Sequence, residues 1–243
     1  MLSKFLAMRG LIQKGSGGGG SNESATANAI IEGTTTEIAN DTVISLRRYA
    51  LAGFKTLTSV YFPAVTSLGE YAFYSCTNLS SVDIPAATSI GGYAFQYCSA
   101  LTSVYFPAVT TVETTAFSNC SALVSVRFPA AETFGSSVFK NCSSLMTADF
   151  AAAKSFGNIA FSSCSALTCL IIRTIEKPCT LYGKSDLNNT PIANGTGYIY
   201  VPADLVDSYK AATNWAVHAN QFRALEDYTV DGTITGELDP TKI

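Results

Sequence analysis

Between residues 57 and 172 the apolar positions recur in blocks of 22 residues, within which short stretches of alternation follow one another. Each block opens on a leucine: Leu57, Leu79, Leu101, Leu123, Leu145 and Leu167. An alternating pair follows, Val60 and Phe62, Val82 and Ile84, Val104 and Phe106, Val126 and Phe128. A period of two predicts a strand with these side chains inward and the residues between them outward. Pro63, Pro85, Pro107 and Pro129 end each strand, because proline has no N–H to continue the pairing. Next come Val65, Ala87, Val109, Ala131 and Ala153, then Leu68, Ile90, Val112, Phe134 and Phe156, among threonines that predict a second, shorter strand. Gly69, Gly91, Gly135 and Gly157, with Glu113 the exception, supply a bend. The block closes on apolar positions such as Ala72, Phe73 and Cys76, spaced for one helical turn.

A strict period of this length marks a solenoid, whose units bury their apolar faces only by stacking on neighbours. The first strands then form a parallel ladder, and the Phe and Cys slots become columns. A degenerate coil precedes the regular ones, with Ile38, Val43, Leu46 and Leu51 in the apolar slots, Phe54 in the Cys slot and Asn40 where Phe62 would stand. An atypical terminal repeat is expected where one face meets water.

Beyond the repeats, 174–196 is rich in Pro, Gly, Asn and Thr and reads as a loop-rich cap. Residues 198–201 predict a strand, and Pro202 begins a helix with Asp204 in its first turn and Lys210 in its last. Leu205, Val206, Tyr209 and Ala212 give that helix an apolar face, expected to close the solenoid with Trp215, Phe222 and Leu225. At the other end Leu2, Phe5, Leu6, Arg9 and Ile12 mark one face of a short helix, read as an anchor whose apolar residues are Leu2, Phe5, Leu6 and Ile12. Its apolar run is interrupted by Arg9 and does not fit a secretory signal. The expected organisation is an anchor helix 1–14, a Gly/Ser-rich flexible linker 15–28, a capping coil 29–56, regular repeats 57–172, a C-terminal cap 173–228 and a tail or hairpin 229–243.

Composition narrows the function. The net charge of −3 comes without a basic cluster, which argues against nucleic acid as a partner. Five of the seven cysteines share one repeat slot, the behaviour of buried small hydrophobes rather than of a disulfide framework. With His218 the only histidine, a zinc site would have to be all sulfur and a Ser-His-Asp or Cys-His arrangement would depend on that one residue; no cofactor or metal is expected.

The strand motif, the Ile-Gly bend and the Ala-Phe-x-x-Cys turn resemble the bacterial surface-antigen (BspA-like) subclass of leucine-rich repeats over 57–172. The resemblance implies an α/β fold. It is a leucine-rich-repeat solenoid with a parallel β-ladder on one face, short turns or helical turns on the other, and a strand-helix cap. Residues 197–202 and 209–215 also look like the C-terminal cap of repeat proteins encoded by gut-bacterial prophages. This second resemblance implies a virion protein, made in the bacterial cytoplasm. Its 1–14 segment would hold other virion structural proteins, and it would meet a bacterial surface receptor, with homo-oligomerisation open.

Information for recognition must lie where near-identical coils differ. One outward strand slot reads Tyr61, Asp83, Tyr105, Arg127, Asp149, Ile171. The slot two residues earlier reads Ser59, Ser81, Ser103, Ser125, Thr147, Cys169. Aromatics and arginine beside hydroxyls are the usual anchors of interfaces. Catalysis by carboxylates fits poorly: Asp83 and Asp149 stand three coils apart, roughly 14 Å at ladder spacing, beyond the glycosidase range. The expectation is a non-enzymatic binding module. A purely structural virion decoration or spacer is the alternative, and a cell-surface adhesin the third reading.

Overall fold

The computed structural model describes residues 12–14 and 36–225, a solenoid of stacked coils with two parallel ladders. The first ladder carries Glu37–Ala39, Ser59–Tyr61 and Ser81–Asp83 as one sheet. It resumes with Ser103–Tyr105, Ser125–Phe128, Thr147–Phe150, Cys169–Ile172, Tyr198–Val201 and Phe222–Ala224 as a second. The other ladder has seven parallel strands from Val43–Leu46 through Ser67–Leu68 to Thr180–Leu181, and Ile12–Lys14 completes an eight-stranded sheet as an antiparallel strand at its edge. Val60, Phe62, Val104, Phe106, Val126 and Phe128 are buried, as their alternation predicts.

The third side of each coil is not a helical turn. Its backbone N–H groups alternate between two destinations. Those of Tyr71, Phe73 and Ser75 donate to the carbonyls of Gly92, Ala94 and Gln96 in the next coil. Those of Ala72, Tyr74 and Cys76 donate within their own coil to Gly69, Tyr71 and Phe73. The alternation places a non-glycine residue at positive φ twice per coil, for example Tyr71 at 59° and Ser75 at 57°. Apolar spacing alone could not separate this from a helix, because both turn Ala72, Phe73 and Cys76 inward.

Phe73, Phe95, Phe117, Phe139 and Phe161 stack in one column with centroids 5.0 to 5.6 Å apart. Beside it each thiol donates to a carbonyl of the preceding coil, Cys98 to Phe73 at 3.2 Å and Cys120 to Phe95 at 3.1 Å. Burial pushes the Cys76 and Cys120 thiols up to about 12, so the column holds protonated, unreactive thiols. Threonine and serine at the corners do similar work: Thr88 donates to the Thr66 carbonyl and Thr110 to that of Thr88. Much of the hydroxyl surface therefore ties coil to coil.

The glycine slot is set by close approach. A Cβ on Gly135 would sit 2.3 Å from the Thr114 backbone nitrogen, and one on Gly91 2.7 Å from that of Glu70. Neither glycine has a positive φ. In the first coil, Asn40 accepts the N–H groups of Thr42 and Val43, a side-chain turn where later coils bury Phe.

Both ends depart from expectation. Ile12–Lys14 is a strand against Val43–Leu46, with Ile12 opposite Leu46, and not part of a helix. An unpaired sheet edge offers partners that a short isolated helix cannot match. Leu2, Phe5 and Leu6, the linker and the tail lie outside the described residues. At the C-terminal end the solenoid does not stop at Arg173. The spacing from Ser155 to its partner Thr180 is 25 residues and from Cys169 to Tyr198 it is 29, so inserted loops conceal two further rungs.

Helix α1, Val206–Ala211, then closes the stack. Tyr209 Oη accepts the Cys179 N–H at 2.9 Å, and Trp215 Nε1 donates to the Cys179 carbonyl at 2.6 Å. Asp186 is fully buried, and its carboxylate takes the N–H groups of Gly183 and Ile159 where a further coil would offer carbonyls. His218 is buried with no partner for Nε2 among the described residues, and burial lowers its pKa below 6.5. The unfolded chain therefore binds this proton more readily than the native one. Stability from the neutral imidazole is fully present above pH 6.5 and is lost as the pH falls from there through the lowered native pKa. We expect a melting temperature that drops between pH 7 and 5, and a drop reduced in His218→Gln; an identical pH profile in the variant would contradict this.

Candidate functional site: the outward ladder face

The ladder brings the unrepeated residues into one column. Tyr61 pairs in register with Asp83, Tyr105 with Arg127, Arg127 with Asp149 and Asp149 with Ile171. Tyr61 is 47% and Tyr105 56% exposed, and Asp83 and Arg127 are also exposed. Beside them Ser81 and Ser103 are exposed, whereas Ser59 and Ser125 are half-buried.

Two members of the column are not on the surface. Asp149 is only 8% exposed and Ile171 only 2%. Arg173 folds back onto Asp149 with both ends of its guanidinium, Nε to Oδ1 at 2.9 Å and Nη2 to Oδ2 at 3.1 Å. Arg127 reaches the same carboxylate only at 3.9 Å. Ile171 and Cys169 are covered by Tyr200 and Leu225, a second apolar cluster on what is elsewhere the outward face. The unbroken accessible column therefore ends at Arg127, and an exposed residue returns only at Arg223, in register with Tyr200.

The ladder is also interrupted. Ser81–Asp83 and Ser103–Tyr105 belong to different sheets, and Val82 is only partly buried at that seam. Arg127 lies on the far side of Tyr105, its Cζ 5.8 Å from the ring centroid, so that Tyr105 already faces one cation.

A second, partly exposed feature lies on the turn side, where the Phe and Cys columns run inside. Tyr49, Tyr71 and Tyr93 stack with centroids 4.7 and 4.6 Å apart, and Arg48 lies over the first two rings. Their 22-residue spacing was visible in the chain, but the later coils put Thr115, Ser137 and Ile159 in the slot. Because these faces are occupied by one another, this column offers a partner chiefly ring edges. A cavity of about 410 Å³ under the cap, lined by 178–182 and 212–215, has its central backbone groups engaged by Tyr209, Trp215 and Asn214. No group of three or more His, Cys, Asp or Glu able to hold a metal occurs among the described residues.

The family model of the BspA type leucine-rich repeat region matches in six copies over 32–146 and 88–199. The chain belongs to the BspA-type leucine-rich repeat family. The matched span runs past Arg173, in agreement with the two concealed rungs. A leucine-rich cell surface protein of Faecalibacterium prausnitzii A2-165 is 26% identical with a TM-score of 0.61, over 74% of this chain and 50% of its own. This BspA-type chain thus spans half the length of that neighbour. A leucine-rich repeat protein of T. pallidum shares the fold at 19% identity and a TM-score of 0.54, over 79% of this chain and 86% of its own. No curated protein matches the sequence.

Proposed function

We propose that this BspA-type repeat protein is a non-enzymatic binding module that presents the outward ladder face to a macromolecular partner. The observation that carries this reading is the contrast within each coil. Inward slots repeat and are buried, while Tyr61, Asp83, Tyr105 and Arg127 differ from coil to coil on one exposed face. The scaffold beneath is close-packed, so these residues are held with little freedom to lose on binding. Display on a bacterial surface is supported by the cell-surface neighbour. Attachment to a virion rests on the prophage resemblance of the cap, and isolation of the chain with purified particles rather than with the cell envelope would favour it.

The test is binding of the labelled protein to a panel of bacterial cells, compared with the variant Tyr61→Ala/Tyr105→Ala/Arg127→Ala. We expect a loss of at least about tenfold with the melting temperature nearly unchanged, since truncated interface anchors commonly cost this much. Undiminished binding by a folded variant would remove the ladder from consideration and leave the purely structural reading.

A further inference from the structure

We propose that Tyr61, Asp83 and Tyr105 form a notch that receives a lysine or arginine side chain of a protein partner. This rests on the ladder-face reading above and specifies its chemistry.

The carboxylate is the first point. Glu70 is paired with Arg48, Glu132 with Lys154, Asp149 with Arg173 and Asp207 with Lys210. Asp83 has no cation partner among the described residues, although it stands in the middle of the exposed column. Glu37, also exposed, adds negative charge two rungs away. The complement of this end of the face is positive.

The second point is shape. Tyr61 and Tyr105 flank Asp83 one coil to either side; two paired rungs would span about 10 Å, and because the Asp83–Tyr105 step is unpaired their backbones are at least that far apart. A group between two rings needs about 3.5–4.0 Å to each, and an ammonium or guanidinium fits with a little room. Aspartate is much shorter than tyrosine, which makes the carboxylate the floor and the rings the walls. Both rings can then contribute cation–π attraction, strongest when water is excluded. Tyr105 already does so toward Arg127 on its other face.

The third point is the seam. The ladder is unpaired between Ser81–Asp83 and Ser103–Tyr105, and Val82, whose side chain faces the core, is only partly buried there. The two tyrosine rings beside an anionic floor suit the methylene stem of a long basic side chain. A neutral sugar would leave the Asp83 charge without compensation. A free small cation would bury too little surface in so shallow a notch, so the cation arrives on a larger partner.

The probe is a dodecapeptide of alternating glycine and lysine, titrated at low salt against the protein, with glycine-glutamate and glycine-serine peptides and a neutral oligosaccharide as comparisons. We expect the lysine peptide alone to bind, and Asp83→Asn to weaken it about tenfold. Tyr61→Leu and Tyr105→Leu should weaken it severalfold while the phenylalanine variants retain it. Asp207→Asn, which removes the same charge from the cap, should change nothing. Equal weakening by Asp83→Asn and Asp207→Asn, or no binding of the lysine peptide, would overturn the proposal. Shifts of the Tyr61 and Tyr105 resonances in the wild-type protein give the same answer without a variant, and their absence at saturation also overturns it. Loss of cell binding in the ladder triple variant with full binding by Asp83→Asn would leave the ladder reading standing and remove the notch.

Discussion

Phe117→Ala is expected to destabilise the protein by about 3–5 kcal/mol, the range for removing a fully buried aromatic ring. Phe117 is completely buried and its ring meets those of Phe95, Phe106, Phe128 and Phe139 at centroid distances of 5.0 to 6.2 Å. The stack cannot collapse freely into the space, because the backbone at this position is held to the next coil: the Phe117 N–H donates to the Val138 carbonyl and the Cys142 thiol to the Phe117 carbonyl. A solenoid also propagates damage only through adjacent units. Hydrogen exchange should therefore accelerate most between about residues 95 and 140, with smaller changes at the cap. A loss under about 1 kcal/mol, or uniform acceleration along the whole chain, would contradict the coil-by-coil account.

Asp149→Ala is expected to cost a similar amount, about 3–5 kcal/mol, for an electrostatic reason. Removing one partner of a buried pair leaves the other charge without compensation. Here the stranded group is Arg173, whose side chain is 14% exposed. Arg127 cannot take over, since it carries the same charge and faces solvent. Beside the pair lie Cys169, Ile171, Tyr200 and Leu225, so the loss should appear first as opening of the C-terminal rungs. Replacing both partners together, Asp149→Leu with Arg173→Met, should recover most of the stability. If the double variant is no more stable than Asp149→Ala, the pair is not what holds that region.

What could be read from the chain followed from repetition. The inward slots gave the strands, the Phe and Cys columns and the solenoid itself, because each coil restates the same packing constraint. What could not be read came from residues that occur once. Arg173 and Tyr200 stand outside the regular period, yet they convert Asp149 and Ile171 from surface to core. The longer spacings to Thr180 and Tyr198 hid rungs that backbone pairing makes plain. The turn side misled in a different way: Ala72, Phe73 and Cys76 have helical spacing, but stacking sends alternate N–H groups to the next coil. The tyrosines at 49, 71 and 93 are periodic over only three coils, too few to stand out from the repeat that surrounds them. For the site, the column of differing residues was legible while its end at Arg127 was not.

That recognition belongs to the exposed, unrepeated ladder residues is tested most directly by photo-crosslinking. A benzophenone amino acid would be placed in turn at Tyr105 on the ladder, Tyr97 on the turn side and Tyr182 beside the cap, all exposed tyrosines, at 56%, 42% and 65%. After binding to cells and irradiation, the account predicts a covalent adduct from position 105 and none from 97 or 182. Adducts from 97 or 182, with none from 105, would contradict it.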